Sequence, residues 1–579
     1  MILQALHNYY QRLQTDGLAD VASEGFQKQE IPFVVVVKPE GLFAGLLDTR
    51  VGEGRGRAAR IFTVPRGVKR ASGVAANLLW DAPAYVFGRP KPDPKKAEAK
   101  LAERAVEQSR SFINLIRERL ASALEDAGVR AVLQFLEQGS FDEVFEHPLW
   151  PEIEKTGATI SFQLTGDTCL VCERPAVVVA LTTQFESDCS SLRACLITGE
   201  DVEPVRLHTA IKGVYRAQTS GANIVSFNLP AFSSFGKQQS FNAPVGKRAE
   251  FAYTSALNHL LRKGSLQRLQ VGDSSTVFWA EKPHAIENVF ASLFGEAPKG
   301  EPEQDYKQLV ATFRAPATGT LPQLDPETRF FVLGLAPNAA RIAVRFWYAG
   351  TVGKVAGNIE QHFEDIEITR SPKQPRYLSL FRLLVGIAVQ GKADNIPPNL
   401  AGELMKSILA CTPYPQALLG AAICRCRAEH EVTFPRASLI KAVLAREARY
   451  FKKTAKEVGM SLETTNSNVG YLLGRLFATL EKIQEDASPG INATIRDRFY
   501  GSASATPVIA FPHLMKLKNH HLAKLENRGL AVNRERLIGE IMDGLSDFPP
   551  HLNLSDQGRF AVGYYHQRQA FFTRSTKDQ

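Results

Sequence analysis

Residues 330–368, FFVLGLAPNAARIAVRFWYAGTVGKVAGNIEQHFEDIEI, combine both kinds of regular secondary structure in one continuous stretch. Two apolar runs rich in β-branched and aromatic residues stand on either side of a short turn, which is typical of an antiparallel strand pair. The segment that follows, TVGKVAGNIEQHFEDIEI, predicts a helix. The stretch therefore predicts a fold of the α+β class.

GKADNIPPNL, residues 391–400, predicts a boundary in the chain, because Gly, Asp, Asn and Pro occur together there. Beyond it strand signals disappear and helical segments continue to the end of the sequence. Pro435 and Pro512 are expected in the first turns of two of these helices. We therefore expect an all-helical bundle at residues 396–579.

The region before this boundary is predicted to be a mixed helix and strand body. PFVVVVKPEGLFAGLLDTR, residues 32–50, predicts a strand, a Pro-Glu-Gly turn and a second strand. The stretch ATISFQLTGDTCLVCERPAVVVALTTQF, residues 158–185, also predicts strands, including its apolar run AVVVALTTQF. We divide this body into residues 1–150 and 151–395.

Length and charge narrow the class of protein. A chain of 579 residues is too long for one hydrophobic core, and its hydrophobic and charged fractions are ordinary for a globular protein. The net charge of +9 favours acidic partners, nucleic acid first. MILQALHNYYQRL lacks the pattern of a signal peptide and IPFVVVV is too short to span a bilayer, so we expect a cytoplasmic protein without a membrane partner.

The sequence contains no familiar catalytic signature. G-x-S-x-G, H-E-x-x-H and the Walker loop are all missing, so we expect no enzyme activity. Four cysteines, Cys169, Cys172, Cys189 and Cys195, fall close enough together to suit tetrahedral zinc. The spacing of the second pair is loose for such a site, and we favour ordinary reduced cysteines with no cofactor and no metal.

GVKRASGVAANLLWDAPAYVFGR, residues 67–89, predicts a shaped loop rather than a strand or a helix, because it does not alternate and contains Gly73 and Pro83. Polar side chains gather at its tip, and bulky apolar ones follow. The tip residues are Lys69, Arg70, Ser72 and Asn77. An alternative role for Asn77 is to cap a turn.

The preceding stretch, VGEGRGRAARIFTVPRGVKR at residues 51–70, carries closely spaced glycines and arginines. Its glycines do not form a dinucleotide fingerprint, because no helix start follows them. One interpretation is a flexible hairpin tip. The other places Arg55 and Arg57 against phosphate.

Residues 206–265 mix glycine, aromatic and hydrogen-bonding residues in a way that an ordinary core strand does not need. Glycine permits close backbone approach, polar and basic side chains donate to phosphates and base edges, and aromatic rings stack on unpaired bases. The polar candidates are His208, Lys212, Arg216, Gln218, Asn223 and Lys237, and the aromatic ones are Tyr215, Phe227, Phe232, Phe235 and Phe241. The alternative is a glycine-rich structural loop system with buried aromatics.

Six blocks of this sequence, taken together and in order, resemble the large subunit of the type I-C CRISPR Cascade, a Csd-type family. The blocks are MILQALHNYYQRL, VKRASGVAANLLWDAPAYVFG, HTAIKGVYRAQTSGANIVSFN, NAPVGKRAEFAYTSALNHLL, TVGKVAGNIEQHFEDIEI and GYLLGRLFATLEKIQE. They span nearly the whole chain. The C-x-x-C pair at Cys169 and Cys172 is not part of the pattern, which weakens the zinc hypothesis.

The resemblance implies a non-catalytic role in an RNA-guided antiviral complex. Such subunits recognise the protospacer-adjacent motif (PAM) in duplex DNA, bind the 5′ end of the guide, hold the opened strand of the R-loop and recruit a helicase-nuclease. The implied partners are a crRNA, target double-stranded DNA, the backbone and handle-binding subunits, and a small subunit. Because guide pairing supplies most of the sequence specificity, the protein needs only a short motif and backbone contacts.

In that setting Lys69, Arg70, Ser72 and Asn77 are expected to probe a DNA groove, with Trp80, Tyr85 and Phe87 packed behind them. The residues of 206–240 are expected at either the guide handle or the DNA near the motif. Two alternatives remain, a nuclease with unrecognised carboxylates and a general RNA-binding scaffold. Metal-dependent cleavage would identify the first, and indifference to any short duplex motif would identify the second.

The family also makes its small subunit by internal translation of the same gene. Of the four internal methionines, Met405 precedes the helices that are expected to join the bundle to the body, and Met515 and Met542 leave too short a chain to form a core. Met460 leaves residues 460–579. The preceding residues Lys456, Glu457 and Val458 permit codons that form a strong ribosome-binding sequence. Basic residues of this bundle are expected to line the guide–target duplex: Arg475, Arg496, Arg498, Lys516 and Lys518.

Overall fold

The computed structural model describes most of the chain. The described residues are 1–16, 22–52, 57–68, 70, 73–92, 97–184, 192–295, 325–397, 399–453 and 458–575. Apart from its first two residues, the chain forms two compact units. The first contains residues 3–209 and 225–259, and the second contains residues 210–224 and 260–579.

Up to residue 202, the chain contains both helices and short strands. In chain order they are α1 (Ile2–Thr15), β1 (Phe26–Glu30), β2 (Phe33–Val37), β3 (Phe43–Asp48), β4 (Ile61–Pro65), β5 (Trp80–Asp81), α2 (Pro83–Val86), α3 (Glu98–Arg119), α4 (Ala127–Gln138), α5 (Asp142–Phe145), α6 (Trp150–Thr156), β6 (Ile160–Leu164), α7 (Pro175–Gln184), β7 (Arg193–Ala194) and β8 (Asp201–Val202). Helix α8 (Lys247–Leu261) follows a long stretch with little regular structure.

The main sheet of the first unit has the order β3-β2-β6-β5. Strand β2 pairs antiparallel with β3 and parallel with β6, whose Ile160 lies opposite Phe33. The predicted turn between β2 and β3 is present, and the amide of Gly41 donates to the carbonyl of Lys38 over 2.9 Å. A separate antiparallel pair joins β1 to β4. The valine run at 34–37 is therefore central to the sheet, as its nearly complete burial requires.

Helix α4 illustrates how local sequence sets its bounds. Asp126 caps its first turn by accepting from the amides of Gly128 and Val129. Gly139 ends it in a left-handed conformation with a φ of 66°. Its apolar side chains, including Val132 and Phe135, pack into the core of the first unit.

The second unit begins with an antiparallel sheet and continues in helices. The elements are β9 (Arg268–Val271), β10 (Ser274–Ala280), α9 (Ile286–Phe294), β11 (Arg329–Asn338), β12 (Arg341–Thr351), α10 (Val352–Ile366), α11 (Leu380–Ile387), α12 (Leu400–Ala410), α13 (Gln416–Glu429), α14 (Phe434–Tyr450), α15 (Val469–Ala487), α16 (Ile495–Ala505), α17 (Pro507–Lys524), α18 (Arg528–Met542) and α19 (Leu554–Ser575). The strand order in its sheet is β12-β11-β10-β9.

The predicted strand pair and helix at 330–368 are present as β11, β12 and α10. The hairpin pairs Arg329 with Thr351 at one end and Asn338 with Arg341 at the other, and its register shifts next to Gly334. A side chain at Gly334 would collide with the ring of Phe346, so this position requires glycine.

Helices α15 and α19 pack more closely than ordinary side chains allow. A Cβ atom added at Gly470, Gly474 or Gly563 would meet the backbone of the opposite helix inside van der Waals contact. The backbone atoms in question belong to Asp556, Phe560 and Tyr471. Small residues four apart on α15 therefore bring the two helix backbones together.

The α+β class and the helical character of the C-terminal region are confirmed. Two local predictions are wrong. Residues 176–184 of the run AVVVALTTQF lie in helix α7, because Val177, Ala180 and Leu181 bury one face at helical spacing, which an apolar run alone does not reveal. Pro512 lies inside α17, whose first-turn proline is Pro507.

The buried apolar core of the second unit extends from Leu269 in β9 to Tyr565 in α19. It therefore continues across residue 395, where the sequence places a boundary. The three ranges 1–150, 151–395 and 396–579 remain predictions about functional regions.

Candidate nucleic-acid interface

Asn77 lies inside the loop at residues 66–81 rather than at its surface. Its side chain is only 7% exposed. Its side-chain Oδ1 accepts from the backbone amide of Val68 over 2.9 Å, and its backbone amide donates to the Asp81 carboxylate over 2.8 Å. The alternative role of Asn77, fixing a turn, accounts for both of its hydrogen bonds.

Arg70 closes the same loop from the outside. Its guanidinium pairs with the Asp81 carboxylate, donates from Nε to the carbonyl of Ala75 over 2.6 Å, and stands 4.0 Å above the Tyr85 ring. Asp81 is almost fully buried, and burial raises the pKa of its carboxyl although Arg70 opposes the shift. The Arg70 side chain remains 31% exposed.

The packing predicted behind this loop is confirmed. Trp80, Tyr85 and Phe87 are all buried, and the Trp80 indole donates to the carbonyl of Pro65 over 2.8 Å. Asp81, which the sequence analysis did not single out, is the residue that joins this packing to the loop. In the sequence, the structural role of Asp81 is indicated only by the position of its carboxylate between two apolar residues, Trp80 and Ala82.

Three of the predicted N-terminal site residues lie outside the described residues, namely Arg55, Lys69 and Ser72. Arg57 is described, and its guanidinium lies 3.1 Å from the Asp48 carboxylate. Arg50 also binds Asp48, and its hydrogen bond is the main reason that the pKa of Asp48 falls to about 2. Arg57 therefore belongs to a surface ion-pair cluster and is 40% exposed.

His208 is a core residue. It is 3% exposed, and its Nδ1 lies 2.5 Å from the hydroxyl of Tyr253. Beside it the buried Glu250 carboxylate accepts from the amide of Thr209 over 2.6 Å and pairs with Arg66. Burial lowers the pKa of His208, so this histidine stays neutral around pH 7 and has no exposed face for phosphate.

Lys212, Arg216 and Gln218 are exposed, as a nucleic-acid contact requires. Arg216 adopts a left-handed backbone conformation, with its guanidinium 5.1 Å from the centre of the Tyr215 ring. Its 3.4 Å ion pair with Asp394 joins two largely exposed side chains and contributes little to stability. These three residues lie on one surface segment of the second unit.

The glycines of this segment approach the protein's own backbone. A Cβ at Gly213 would lie 2.6 Å from the carbonyl oxygen of Leu261, and one at Gly221 would lie 2.9 Å from that of Ile211. Asn223 pairs with the β11–β12 turn, because its amide donates to Ala340 over 3.2 Å. These contacts hold the loop bearing Lys212 and Arg216 in one shape.

Residues 229–242 form an ordered loop with an aromatic side chain at its tip. The amide of Lys237 donates to the carbonyl of Ser234 over 3.0 Å, and Phe235 and Gly236 between them have φ values of 52° and 70°. This combination is that of a type I′ turn. Phe235 is 95% exposed, although burying a phenylalanine side chain is worth about 1.5–3 kcal/mol.

Asn242 holds this turn in place. Its Oδ1 accepts from the amide of Ser234 over 2.9 Å, and its Nδ2 donates to the carbonyls of Lys237 and Gln239 over 3.1 and 2.8 Å. Phe235 and Lys237 were expected from the sequence as candidate contacts, whereas Asn242 was not. A single asparagine among apolar residues in SFNAPV was its only signal.

The predicted strand-binding residues of the C-terminal bundle differ in burial. Arg475 is 2% exposed and donates from Nε to the side chain of Gln567 over 3.2 Å, so it is part of the bundle interior. Arg496 lies 3.7 Å from the fully buried Glu481, whose other oxygen accepts from Tyr564. Arg498 and Lys516 are exposed, and Lys518 pairs with Glu535 over 3.2 Å.

Met460 is half exposed and precedes helix α15. Its carbonyl accepts from the amide of Thr369 over 2.8 Å. Lys456 and Glu457, whose codons bear on the internal start, lie outside the described residues, while Val458 is buried.

The cysteines of the zinc hypothesis are described except for Cys189. Cys172 is buried, which raises the pKa of its thiol well above the ordinary range, and Cys195 is also buried. Among the described residues no group of three His, Cys, Asp or Glu side chains is placed to hold a metal ion.

No helix in the described part of the chain has both the length and the apolar character needed to cross a bilayer.

Comparison with known proteins identifies the family. A search of curated proteins finds no match. A family model described as CRISPR-associated protein (Cas_Csd1) matches residues 6–572, and this match confirms the resemblance carried by the six sequence blocks. Because it covers nearly the whole sequence, the chain belongs to the Cas_Csd1 family of CRISPR-associated proteins.

Proposed function

We propose that this chain is the non-catalytic large subunit of a type I-C Cascade, which recognises a short motif in duplex DNA next to the guide-matched target. It binds the 5′ end of the crRNA, holds the opened strand of the R-loop and presents a surface to a helicase-nuclease. Backbone and handle-binding subunits complete the complex in the cytoplasm. Family membership supports participation in Cascade, and the surface segment described next supports nucleic-acid contact.

The observation that carries the proposal is the absence of acidic residues from positions 204–249. The same 46 positions carry six basic residues. Those are Arg206, Lys212, Arg216, Lys237, Lys247 and Arg248. Three of these side chains lie beside carboxylates from outside the segment, Arg216 at Asp394, Lys247 at Glu203 and Arg248 at Glu24. The segment itself has a net positive charge, which attracts phosphate.

We assign DNA motif recognition to the loop at 66–81, in which different residues have different roles. In this proposal Asn77 and Asp81 set the loop's shape, and the partly exposed side chain of Arg70 contacts DNA together with Lys69 and Ser72. In the bundle we assign strand binding to Arg498, Lys516, Lys518 and Arg496, and we leave out Arg475 because its guanidinium is buried. Neither assignment requires a metal or a catalytic group.

Selection from randomised flanks tests the proposed function. The full chain would be purified with its backbone subunits and a short repeat-derived guide RNA, then mixed with duplex targets whose flanking bases are random. We expect enrichment of one short flanking motif and no cleavage of DNA by the complex in Mg²⁺. Enrichment of no motif would favour a general RNA-binding scaffold, and metal-dependent cleavage would favour a nuclease.

We also propose that Met460 starts a separate small subunit comprising residues 460–579. This range contains the complete helices α15 to α19, whose buried apolar side chains are part of the core of the second unit. Scaling from 63.8 kDa for 579 residues gives a product of about 13 kDa. Expressing the gene with Met460→Leu and silent changes at codons 456–458 should abolish this product on a gel.

Met515→Leu serves as the matched control, because a start at that position would leave too short a chain to form a core. The control should leave the product unchanged. A product that persists in Met460→Leu, or that never appears in the parent, would contradict the internal start.

A further inference from the structure

The side chain of Glu250 is buried in helix α8 and binds two segments that are far apart in the sequence. Arg66, the first residue of the loop at 66–81, donates from Nη2 to the Glu250 carboxylate over 3.0 Å. Oε1 of the same carboxylate accepts from the backbone amide of Thr209 over 2.6 Å. One buried carboxylate therefore joins the loop at 66–81 to the basic segment at 204–249.

Further contacts fix both segments beside the start of α8. The backbone amide of Arg66 donates to the carbonyl of Gly25 over 2.8 Å, and its guanidinium lies 5.5 Å from the centre of the Phe251 ring. In the other segment, the amide of Val205 donates to the carbonyl of Val245 over 2.9 Å. The position of residues 205–209 relative to the first residue of the loop is therefore set by α8 and the residues just before it.

Stability alone does not account for a carboxylate at position 250. Burying a carboxylate is unfavourable unless it is paired and hydrogen-bonded, and well-packed apolar side chains often stabilise a core as well as a buried ion pair does. Glu250 is 1% exposed. An apolar side chain there would have no acceptor for the Arg66 guanidinium or for the Thr209 amide, so the role specific to the carboxylate is to hold these two groups together.

The segment that Glu250 holds carries an exposed basic residue. Arg206 is exposed, and its Nε donates to Oε1 of Gln239. A guanidinium has several donors, which suits it to phosphate. Because residues 205–209 are fixed beside the start of the loop at 66–81, a phosphate bound by Arg206 is expected to belong to the same ligand as the loop.

We propose that Glu250 joins the loop at 66–81 and residues 206–209 into one surface for the duplex flank that carries the motif. Arg206 contacts a phosphate of that flank. Glu250 acts through Arg66 and Thr209 as the positioning residue of this surface and does not itself touch DNA. The inference rests on the proposed function, and it assigns residues 206–209 to DNA rather than to the guide handle.

The test measures binding of flank duplexes to the full chain assembled with its backbone subunits and guide RNA. The probes are a duplex with the motif enriched in the flank selection and one with that motif scrambled, and neither matches the guide, so guide pairing does not contribute. Arg206→Ala should weaken binding of both duplexes about tenfold, as expected for loss of one charge-assisted hydrogen bond. Their affinity ratio should stay the same, because a phosphate contact carries no sequence information.

Glu250→Gln tests the positioning role. Its side chain can still accept from Thr209 but places an amide donor where the parent has an acceptor for Arg66. The preference for the motif duplex should fall about tenfold, which is the discrimination that one base contact supplies. Tyr253→Phe is the matched control on the same helix, because it removes a hydroxyl that meets His208 and leaves both Glu250 contacts in place. It should keep the parental preference.

The remaining outcomes separate this inference from the proposed function. Parental affinity in Arg206→Ala, or parental preference in Glu250→Gln, would overturn the inference and leave motif recognition intact. Loss of guide RNA from Arg206→Ala would assign this segment to the guide handle and overturn it too. An equal loss of preference in Tyr253→Phe would show that the effect is one of helix packing in general. A parent complex without any preference for the motif duplex would overturn the proposed function itself.

Discussion

The loops at 66–81 and 229–242 both contain aromatic rings and amide side chains, but they use them in opposite ways. In the first loop Asn77 and Asp81 are buried and Trp80 packs beneath them. In the second, Asn242 supports a turn from which Phe235 projects into solvent. In both loops the side chain of an asparagine accepts a hydrogen bond from the backbone and helps to fix the loop. The two loops therefore differ in the position of the aromatic ring, which is buried in the first and exposed in the second. A polar residue in a candidate binding loop can therefore serve to hold the loop's shape, as Asn77 and Asn242 do.

The largest expected effect is a loss of stability when the buried Asp81 is replaced. Asp81→Ala removes the acceptor for Arg70 and for the amides of Asn77 and Ala82. We expect a loss of about 3 kcal/mol in the free energy of unfolding, at the low end for a broken buried pair because Arg70 is 31% exposed. Chemical denaturation of the full chain measures it. A loss below about 1 kcal/mol would show that the loop does not depend on this carboxylate.

Asn77→Ala should also lower the stability of the chain, but by less than Asp81→Ala. It leaves the amide of Val68 without its acceptor, and we expect a loss of about 1–2 kcal/mol in the free energy of unfolding. Lys69→Ala is the matched comparison, with unchanged stability but motif-duplex affinity weakened by about 1–3 kcal/mol. If Asn77→Ala weakened DNA binding at full stability, the asparagine would be a contact rather than scaffold.

Buried histidines make the stability of the fold depend on pH. Burial lowers the pKa of His362 and of His566 to about 3, from an ordinary value near 6.5. Between those values the unfolded chain binds protons that the folded chain does not, so stability falls as pH falls below about 6.5. From pH 7.5 to pH 5.5 we expect a loss of about 1.4 kcal/mol for each histidine.

His362→Gln removes one titrating group while keeping a side chain that can bond to the Tyr414 hydroxyl. Its stability should fall by about 1.4 kcal/mol less than the parent's over the same pH range. Denaturation curves at the two pH values provide the measurement. Equal losses in parent and variant would mean that His362 takes up its proton while folded.

The smallest effect on stability is expected at the exposed residues. Lys212→Ala with Arg216→Ala should change the free energy of unfolding by no more than about 0.5 kcal/mol, because both side chains lie at the surface. If both bind phosphate, the slope of log affinity against log salt should fall by about 2. Titrations of the complex with motif duplex at several salt concentrations measure this slope. An unchanged slope would assign the two residues to structure.

Sequence patterns were most informative where a residue's neighbours in the chain determine its environment. The strand pair at 330–351, the turn at Gly41 and the helical C-terminal region follow from local periodicity and turn chemistry. The apolar run at 175–184 has too little polar content to distinguish a helix from a buried strand. The six blocks then identified the family because their order spans the chain.

The candidate site was harder to predict, because burial depends on residues far away in the sequence. Nothing near His208 indicates that Tyr253 and Glu250 enclose it. Arg475 looks like a surface cation until Gln567, 92 positions later, is brought beside it. Lys212, by contrast, is exposed, and its contact with nucleic acid stays a prediction.

The contact between α15 and α19 determines which glycines an engineer can replace. Exchanging a helical glycine for alanine usually stabilises a helix by up to about 1 kcal/mol. At Gly501 and Gly539 nothing stands within 4 Å of the added methyl group, so that gain is available. At Gly470 and Gly474 the same methyl group would push two helix backbones apart. The bundle thus contains glycines that are dispensable and glycines that are irreplaceable, and helix propensity alone ranks them all alike.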